Sequence, residues 1–561
     1  MKKFTLMLVA ALAMLSPVKA QDAQCVLTYQ WAHTVEGAGT ASNNVFEAKK
    51  ATDGNYFVAT KVGTKTGTLT AKFDGVAIDG FEGATYSNST AGNLYLQKVK
   101  ADGSVVWTVR SAKVDVSATN IAPTSDGGAI LVVKSRVENK DGETAKVLTL
   151  IDAANNTVEV GDANTVVKVA YATIVKLDKN GKCEWTRLVP GVKANKATDV
   201  LTVTGCAVDA EDNVYVAGKL AGTATFATSE SETQDVTSQN STSDLVVLKL
   251  DKNGSLVSSL LPTDNAKVSS QVDAVAFNNG ILYLAGQVKG TGLKIGGKEI
   301  AGDATFSSLY LAAVNTANLE VNYAKHIAPI ANANATKPAF VLQNKALDFI
   351  NGNLYLTGSV NGGLAADDVT ANTNSTVLKG MVVKVQASDG KLLSVGLNDQ
   401  KEKGISNYFG VYEGENTVYA FGYDMLNTSG MVLFTYDKTT LAKQNEIKVT
   451  NLTNGNNAPM LVDGKNLLMM ARGNKTAPLT FEGTTANMDG FTDWGVVYCL
   501  YTISDVSTAI KSISSATDAS SKVNVYTLSG VCVKKNVSAA EATQGLAKGI
   551  YVVGNKKVVV K

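Results

Sequence analysis

The chain has 561 residues, 45% hydrophobic and 18% charged, with 49 glycines, 8 prolines and a formal net charge of +2. This composition supports a large buried core and excludes a disordered polymer, a coiled coil and a collagen-like rod, while the near-neutral charge argues against a nucleic-acid binder built on a basic surface. With 2 histidines and 5 cysteines, there is little material for a histidine-based metal site or catalytic centre.

Residues 1–20 have the form of a signal peptide. Lys2 and Lys3 precede an apolar stretch from Phe4 to Leu15, and Val18 and Ala20 stand at the positions a signal peptidase reads. The stretch is too short to span a bilayer, and no later apolar run is long enough to do so. Cleavage before Gln21 removes three of the 52 basic residues and none of the 50 acidic ones, taking the formal charge from +2 to −1. Cys25 follows the cut by five residues without a lipobox. The expectation is an exported chain, in the periplasm, on the outer surface or outside the cell, with no lipid anchor.

From there on the sequence repeats itself. One phrase is a strand, a tight turn and a second strand, as in Leu94 to Trp107, Ile174 to Trp185 and Leu245 to Leu256; it occurs six times complete. Its turns fall near Asp102-Gly103, Asn180-Gly181, Asn253-Gly254, Asn315, Asp389-Gly390 and Asp437. Asn-Gly and Asp-Gly accept positive φ at low cost and mark hairpins. The other phrase, as in Ala51 to Ala59, Ala207 to Gly218, Ala276 to Gly286 and Asp348 to Gly358, occurs seven times. The numbers match if two orphans are joined. Trp494 to Tyr501 resembles a first strand without its partner, and Val26 to His33 a second strand without a first. Joining the chain ends removes an exposed sheet edge.

The prediction is an all-β fold, a seven-bladed β-propeller over residues 21–503, with residues 26–33 as the outermost strand of the last blade. Each blade begins at the second phrase; blade three uses residues near 204–209, 213–219, 244–251 and 255–261. The tight turns then share one rim. The opposite rim carries the connections between second and third strands, six of them enlarged: 64–92, 137–170, 221–243, 289–306, 361–378 and 476–492. Some hold short apolar strands, such as Leu69 to Phe73 and Leu479 to Phe481. Enlarged loops on a rigid scaffold are a usual place for recognition.

The strand with Lys-Leu-Asp, the Asn-Gly turn, the Trp, and then Val-Tyr-Val-Ala-Gly resemble the bacterial β-propeller repeats of secreted proteins, as does Thr480-Phe481-Glu482-Gly483 followed by Phe491 to Trp494. The resemblance implies the fold and leaves the function open.

Residues 504–520 read as a Ser/Thr/Ala-rich linker to a small β module, 521–561. Val523 to Val533, Gly545 to Val553 and the terminal Lys556 to Lys561 resemble the C-terminal sorting tails of secreted proteins of the Bacteroidota. Ala547 stands where those tails usually carry Pro, and their Pro-Asn-Pro opening is absent. The resemblance implies type IX secretion machinery as a partner. The module carries seven Lys and one acid, Glu541.

No sequence motif marks a catalytic, cofactor or metal site. His33 and His326 are read as hydrogen-bonded strand residues. Asp178-Lys179-Asn180-Gly181 and Asp251-Lys252-Asn253-Gly254 lack the further acidic ligands of a calcium loop and are read as hairpin turns. Tyr408, Phe409, Tyr412, Tyr419, Phe421 and Tyr423 alternate as a blade core does. No G-x-S-x-G elbow or P-loop occurs. Cys183 and Cys206 fall in different blades and are not expected to be bridged; Cys25, Cys499 and Cys532 are left unassigned. The expected function is a monomeric, non-enzymatic scaffold that binds an extracellular protein or glycan through the enlarged loops, without cofactor or nucleic acid. The alternative is a polysaccharide hydrolase or lyase with carboxylate or Tyr chemistry at the propeller centre.

Overall fold

Alternating apolar residues punctuated by Asp/Asn-Gly turns fold into antiparallel strands throughout, and a single 3-10 turn, Ala539–Glu541, is the helical element among the described residues. The computed structural model describes residues 24–37, 44–63, 71–82, 92–136, 146–161, 166, 169–239, 242–263, 268–342, 347–373, 375–398, 406–424, 431–448, 460–473, 480–481, 484–485, 495–506, 522–527, 530–553 and 556–560. The signal-peptide reading of residues 1–20, most of the linker, and the stretches Glu482-Gly483 and Phe491 to Trp494 lie outside them.

Residues Leu27–Ile503 form one compact unit. In it, quartets of strands follow one another as meanders, each strand pairing with the next. The first quartet is Asn44–Lys50, Tyr56–Gly63, Gly92–Val99 and Val105–Ser111; the second is Asp115–Pro123, Ala129–Arg136, Tyr171–Leu177 and Cys183–Val189. The third is Leu201–Val208, Val214–Leu220, Asp244–Leu250 and Leu256–Leu260, within a few residues of the expected bounds. Ser269–Asn278, Ile281–Ile295, Lys298–Asn315 and Val321–Ile330 make the fourth. In the fifth, Ala339–Val341 and Leu347–Ile350 share the innermost place beside Asn353–Asn361, Lys379–Gln386 and Leu392–Leu397. Ser406–Glu413, Thr417–Asp424, Met431–Asp437 and Lys443–Lys448 complete the sixth.

The last quartet joins the chain ends. Met460–Asp463, Asn466–Gly473 and Gly495–Val506 are followed outward by Gln24–Glu36, which is longer than the strand expected at residues 26–33. This quartet packs on the first. Tyr56, Val58, Tyr95, Leu468, Tyr498 and Leu500 share one apolar cluster, the Tyr498 hydroxyl donates to Gln97 Oε1 at 2.6 Å, and Lys50 Nζ lies 2.6 Å from Asp463.

Neighbouring quartets meet face to face through similar clusters, for example Phe57, Leu96, Ile121 and Leu131 between the first and second, and Tyr355, Val382, Tyr408 and Phe434 between the fifth and sixth. This stacking explains the strand composition. A middle strand covered on both faces reads as a continuous apolar run, and every residue of Tyr56–Gly63 and Gly92–Val99 is buried. The fourth strand, Val105–Ser111, alternates between buried and accessible positions.

The other described unit contains a separate four-stranded antiparallel sheet, ordered Cys532–Ser538, Lys522–Thr527, Gly549–Val553, Lys556–Val560. Its small core holds Val525, Ala542, Val553 and Val558. No helix of the described residues is long and apolar enough to cross a membrane.

Candidate functional site

Three regions of the Leu27–Ile503 unit can be compared: the rim of tight turns, the innermost strand edges, and the rim of enlarged connections. The tight turns are occupied by the fold itself. Asp178 Oδ1 accepts the amides of Asn180 and Lys182 at 2.8 and 2.9 Å, and Asp251 Oδ1 those of Asn253 and Ser255 at 2.8 and 2.9 Å. These carboxylates are turn caps, as the sequence indicates. Among the described residues no group of three or more His, Cys, Asp or Glu could hold a metal.

The recurring Trp has a defined partner. Trp31, Trp107 and Trp185 donate from Nε1 to the carbonyls of Ala101, Lys179 and Lys252 at 2.8, 2.9 and 3.1 Å. Each lies in the fourth strand of one quartet and reaches the hairpin turn of the next. Tyr323 does the same through its hydroxyl to Ala387 O at 3.1 Å. The turn glycines let the rings in. A Cβ on Gly103, Gly181 or Gly254 would lie 2.8, 2.7 or 2.7 Å from the Trp of the preceding quartet, and all three have positive φ. The Asn-Gly turn and the Trp are thus two halves of one joint between consecutive quartets.

The innermost strands each leave an edge unpaired, which needs hydrogen-bond partners. Side chains of the preceding quartet supply some of them. Glu47 Oε2 accepts the Ile121 amide at 2.6 Å, Asn120 donates to Val203 O at 3.2 Å, and Thr204 to Val272 O at 2.7 Å. Asp348 accepts the Val411 amide. Burial pushes the Asp348 carboxyl up to about 7, against the opposing pull of the Lys49 ammonium and the Val411 amide. Lys49 belongs to the first quartet and Asp348 to the fifth, so innermost strands distant in sequence meet electrostatically here. Lys49 Nζ also lies 3.7 Å from Glu47 Oε1. Asp273, on the fourth quartet's innermost strand, is pushed by burial up to about 6, opposed by Gln287, Gln271 and Lys219. Its carboxylate accepts from Gln271 at 2.6 Å and Gln287 at 3.2 Å. Neither Asp273 nor Asp348 carries a sequence motif: Gln271 shares the strand of Asp273, but Gln287 comes from the neighbouring strand and Lys219, Lys49 and Val411 from other quartets.

The enlarged connections prove to be more than loops. Where described, five of them contain hairpins that reach back to the fourth strand of the preceding quartet or to its continuation. Phe73 pairs with Val35, Leu150 with Ser111, Ala224 with Gly191, Ile295 with Pro262, and Leu364 with Pro329. Their inward side chains are core: Leu148, Leu150, Ala224, Leu293, Ile300 and Leu364 are fully buried. The outward surfaces of these connections are mixed: Val76 and Val166 are exposed apolar residues, while the exposed face of the hairpin over 223–237 is polar. On the hairpin of Thr223–Ala227 and Thr233–Thr237, Thr225 Oγ1 donates to Asp235 Oδ1 at 2.6 Å, and the Thr223 and Thr237 hydroxyls lie 2.9 Å apart. Thr233, Gln234, Asp235 and Thr237 are exposed. Thr233, Asp235 and Thr237 share the outward face, while Gln234 lies on the other face beside the buried Phe226.

Other expectations divide. Tyr408, Phe409, Tyr419 and Phe421 are buried, Tyr412 stacks on Tyr419 with centroids 5.8 Å apart, and the side chain of Tyr423 lies outside the description. No disulfide joins Cys183 to Cys206; Cys499 is buried, Cys532 is exposed, and the side chain of Cys25 lies outside the description. His33 is hydrogen-bonded at both ring nitrogens. His326 departs from expectation: its Nε2 is buried without a partner among the described residues. Burial lowers its pKa, opposed by Asp303.

No family model matches the chain, and no curated protein does. Solved structures with loose similarity include BamB from Moraxella catarrhalis, 14% identical over 85% of this chain and 100% of that one, with a TM-score of 0.36. Quinohemoprotein alcohol dehydrogenase from Comamonas testosteroni is 13% identical over 85% of this chain and 76% of that one, TM-score 0.37. The periplasmic gluconolactonase of Pseudomonas aeruginosa is 13% identical over 74% of this chain and 98% of that one, TM-score 0.34. These likenesses carry no functional argument.

Proposed function

We propose that the quartets are the blades of a seven-bladed β-propeller closed by its N-terminal strand, and that the protein is an exported, monomeric, non-enzymatic scaffold recognising an extracellular protein or glycan. Support for the ring comes from the packing of the last quartet on the first and from the chain ends sharing one sheet. Support for recognition rests on a single contrast. Three of the tight turns are occupied by Trp–Gly joints, whereas the described hairpins of the opposite rim have buried inner faces and, at Thr223–Ala227 and Thr233–Thr237, a polar outer row. Such hairpins hold hydroxyl, amide and carboxylate groups in fixed positions, which lowers the ordering cost of binding. The sheet over 522–560, with its lysines, is read as a sorting tail that engages secretion machinery.

The test is a glycan-array and surface-protein binding screen of the full chain against a variant carrying Thr233→Ala, Asp235→Ala and Thr237→Ala. Loss of capture in the variant, with an unchanged melting transition, is expected. Equal capture by both would overturn the assignment of this rim.

The second reading, a hydrolase or lyase, is favoured by the raised carboxyls of Asp273 and Asp348. Such carboxyls can serve as general acids near neutral pH. Polysaccharide turnover abolished by Asp348→Asn or Asp273→Asn alone would establish it in place of the scaffold.

A further inference from the structure

The seam between the first and last quartets is held by an imidazole that faces two acceptors. His33 lies in the strand Gln24–Glu36. Its Nδ1 is 2.7 Å from Asp74 Oδ2 and its Nε2 is 2.6 Å from the Gly103 carbonyl oxygen. Asp74 forms the tip of the hairpin Lys72–Phe73 and Val76–Ala77, which extends the last quartet's sheet by pairing with His33's own strand, while Gly103 lies in the turn after Gly92–Val99 of the first quartet; the imidazole thus bridges the two, and the Gly103 bond crosses the seam. The same carboxylate accepts the Thr34 amide at 2.8 Å, and the Asp74 amide returns a bond to Thr34 O at 3.0 Å. Neutral imidazole has one N–H and could serve only one of the two acceptors, leaving a lone pair against the other oxygen. Imidazolium serves both.

We propose that His33 is a protonation-operated clasp on the ring closure, fastening the N-terminal strand to the first quartet when it is charged and loosening it when it is neutral.

The surroundings favour this. Trp31, Phe73 and Tyr498 pack around the imidazole with centroids 5.3, 5.1 and 5.3 Å away. Among the described ionisable side chains on the surrounding elements, Asp74 is the one hydrogen-bonded to the ring. The Tyr498 hydroxyl is committed to Gln97, Asp102 to Ser104, and Lys72 lies 3.8 Å from Glu36; Tyr95, Arg110 and Lys100 complete the set. Burial disfavours the charge, but the hydrogen bond to Asp74, its negative charge and the Gly103 carbonyl outweigh it, and the His33 pKa lies above the ordinary 6.5. The sign follows. The stabilisation is complete below pH 6.5 and is lost as pH rises through the higher folded-state value. Each pKa unit of separation corresponds to roughly a tenfold change in the opening equilibrium of the strand.

Amide hydrogen exchange of the full chain, corrected for intrinsic rates, across pH 5.5 to 9 in roughly half-unit steps, tests the clasp through peptides covering residues 27–36 and 71–77. Exchange in both is expected to rise several-fold as His33 deprotonates. His33→Gln, with a single fixed donor group, should flatten the rise, and His326→Gln should leave it intact. Histidine NMR titration supplies a readout that needs no strand opening: His33 should titrate above 6.5 and move down in Asp74→Asn. A His33 pKa at or below 6.5, a flat wild-type profile, or a rise that persists in His33→Gln would overturn the proposal.

Discussion

Gly181 and Asp348 show two ways in which a single residue is fixed by groups that lie elsewhere in the chain. Gly181 has φ +77 and a ring carbon of Trp107 at 2.7 Å from where a Cβ would stand, while Gly54 has φ +85 with nothing within 4 Å. Gly181→Ala should therefore lose about 2–4 kcal/mol, combining backbone strain with displacement of the indole, and Gly54→Ala only about 1 kcal/mol. Urea unfolding of both variants checks the difference; equal losses would mean that the Trp joint is not tight. Asp348 tests the pH response of the innermost strands. Its carboxyl rises from 3.8 to about 7 in the fold, so the folded state holds the proton more firmly. Stability then falls as pH climbs from about 4 through 7. Asp348→Asn, which keeps an acceptor for the Val411 amide, should lessen that decline in melting temperature measured from pH 4 to 8. The residual solvent contact of Asp348 makes the effect smaller than full burial would give.

At the level of elements, the rim hairpins behave as core. Leu150 is fully buried and lies in a segment that reads as a connection between strands. Leu150→Ala should cost about 2–5 kcal/mol, the loss of a packed strand residue, whereas a loop residue would cost less than 1 kcal/mol. Chemical denaturation decides between them. Sequence and structure part company here for a physical reason. The turns around Asp178 and Asp251 were legible because cap, amides and glycine all lie within five consecutive residues. The strands and their grouping into quartets were legible because each repeat shows the same alternation. The hairpin partners were not, since Leu150 pairs with Ser111 across two intervening strands, Asp115–Pro123 and Ala129–Arg136. The edge caps were hidden for the same reason: Glu47 meets an amide 74 residues away. Sequence alone could show the Trp and the Gly recurring together, but not that each Trp serves the glycine of the following repeat.

For the whole molecule, the strand Gln24–Glu36 completes the last sheet and also carries Trp31 and His33 to the first quartet. Deleting residues 21–34 should lower the melting temperature of the entire Leu27–Ile503 unit and promote aggregation through the uncovered edge of Gly495–Val506. An unchanged thermal transition would show that the strand is dispensable. Deleting residues 504–561 should leave that transition in place, because the terminal sheet has its own core, and should change the distribution between cell surface and medium. Cell fractionation reads this directly, and identical distributions would remove the sorting interpretation.

The backward reach of the rim hairpins sets an order in time. Five described hairpins each contribute a strand to the quartet before them, so on the proposed export a chain leaving a translocation pore N-terminus first could not finish those quartets until part of the next had emerged. Its first strand must wait longest, because the partner at Gly495–Val506 arrives near the end. Stalled chains ending before residue 495 should therefore remain open to protease between residues 24 and 36, and protection there should appear late and all at once. On the export proposed above, a chain so arranged would keep its leading strand without its Gly495–Val506 partner through most of the passage and complete the last sheet only as the crossing ended.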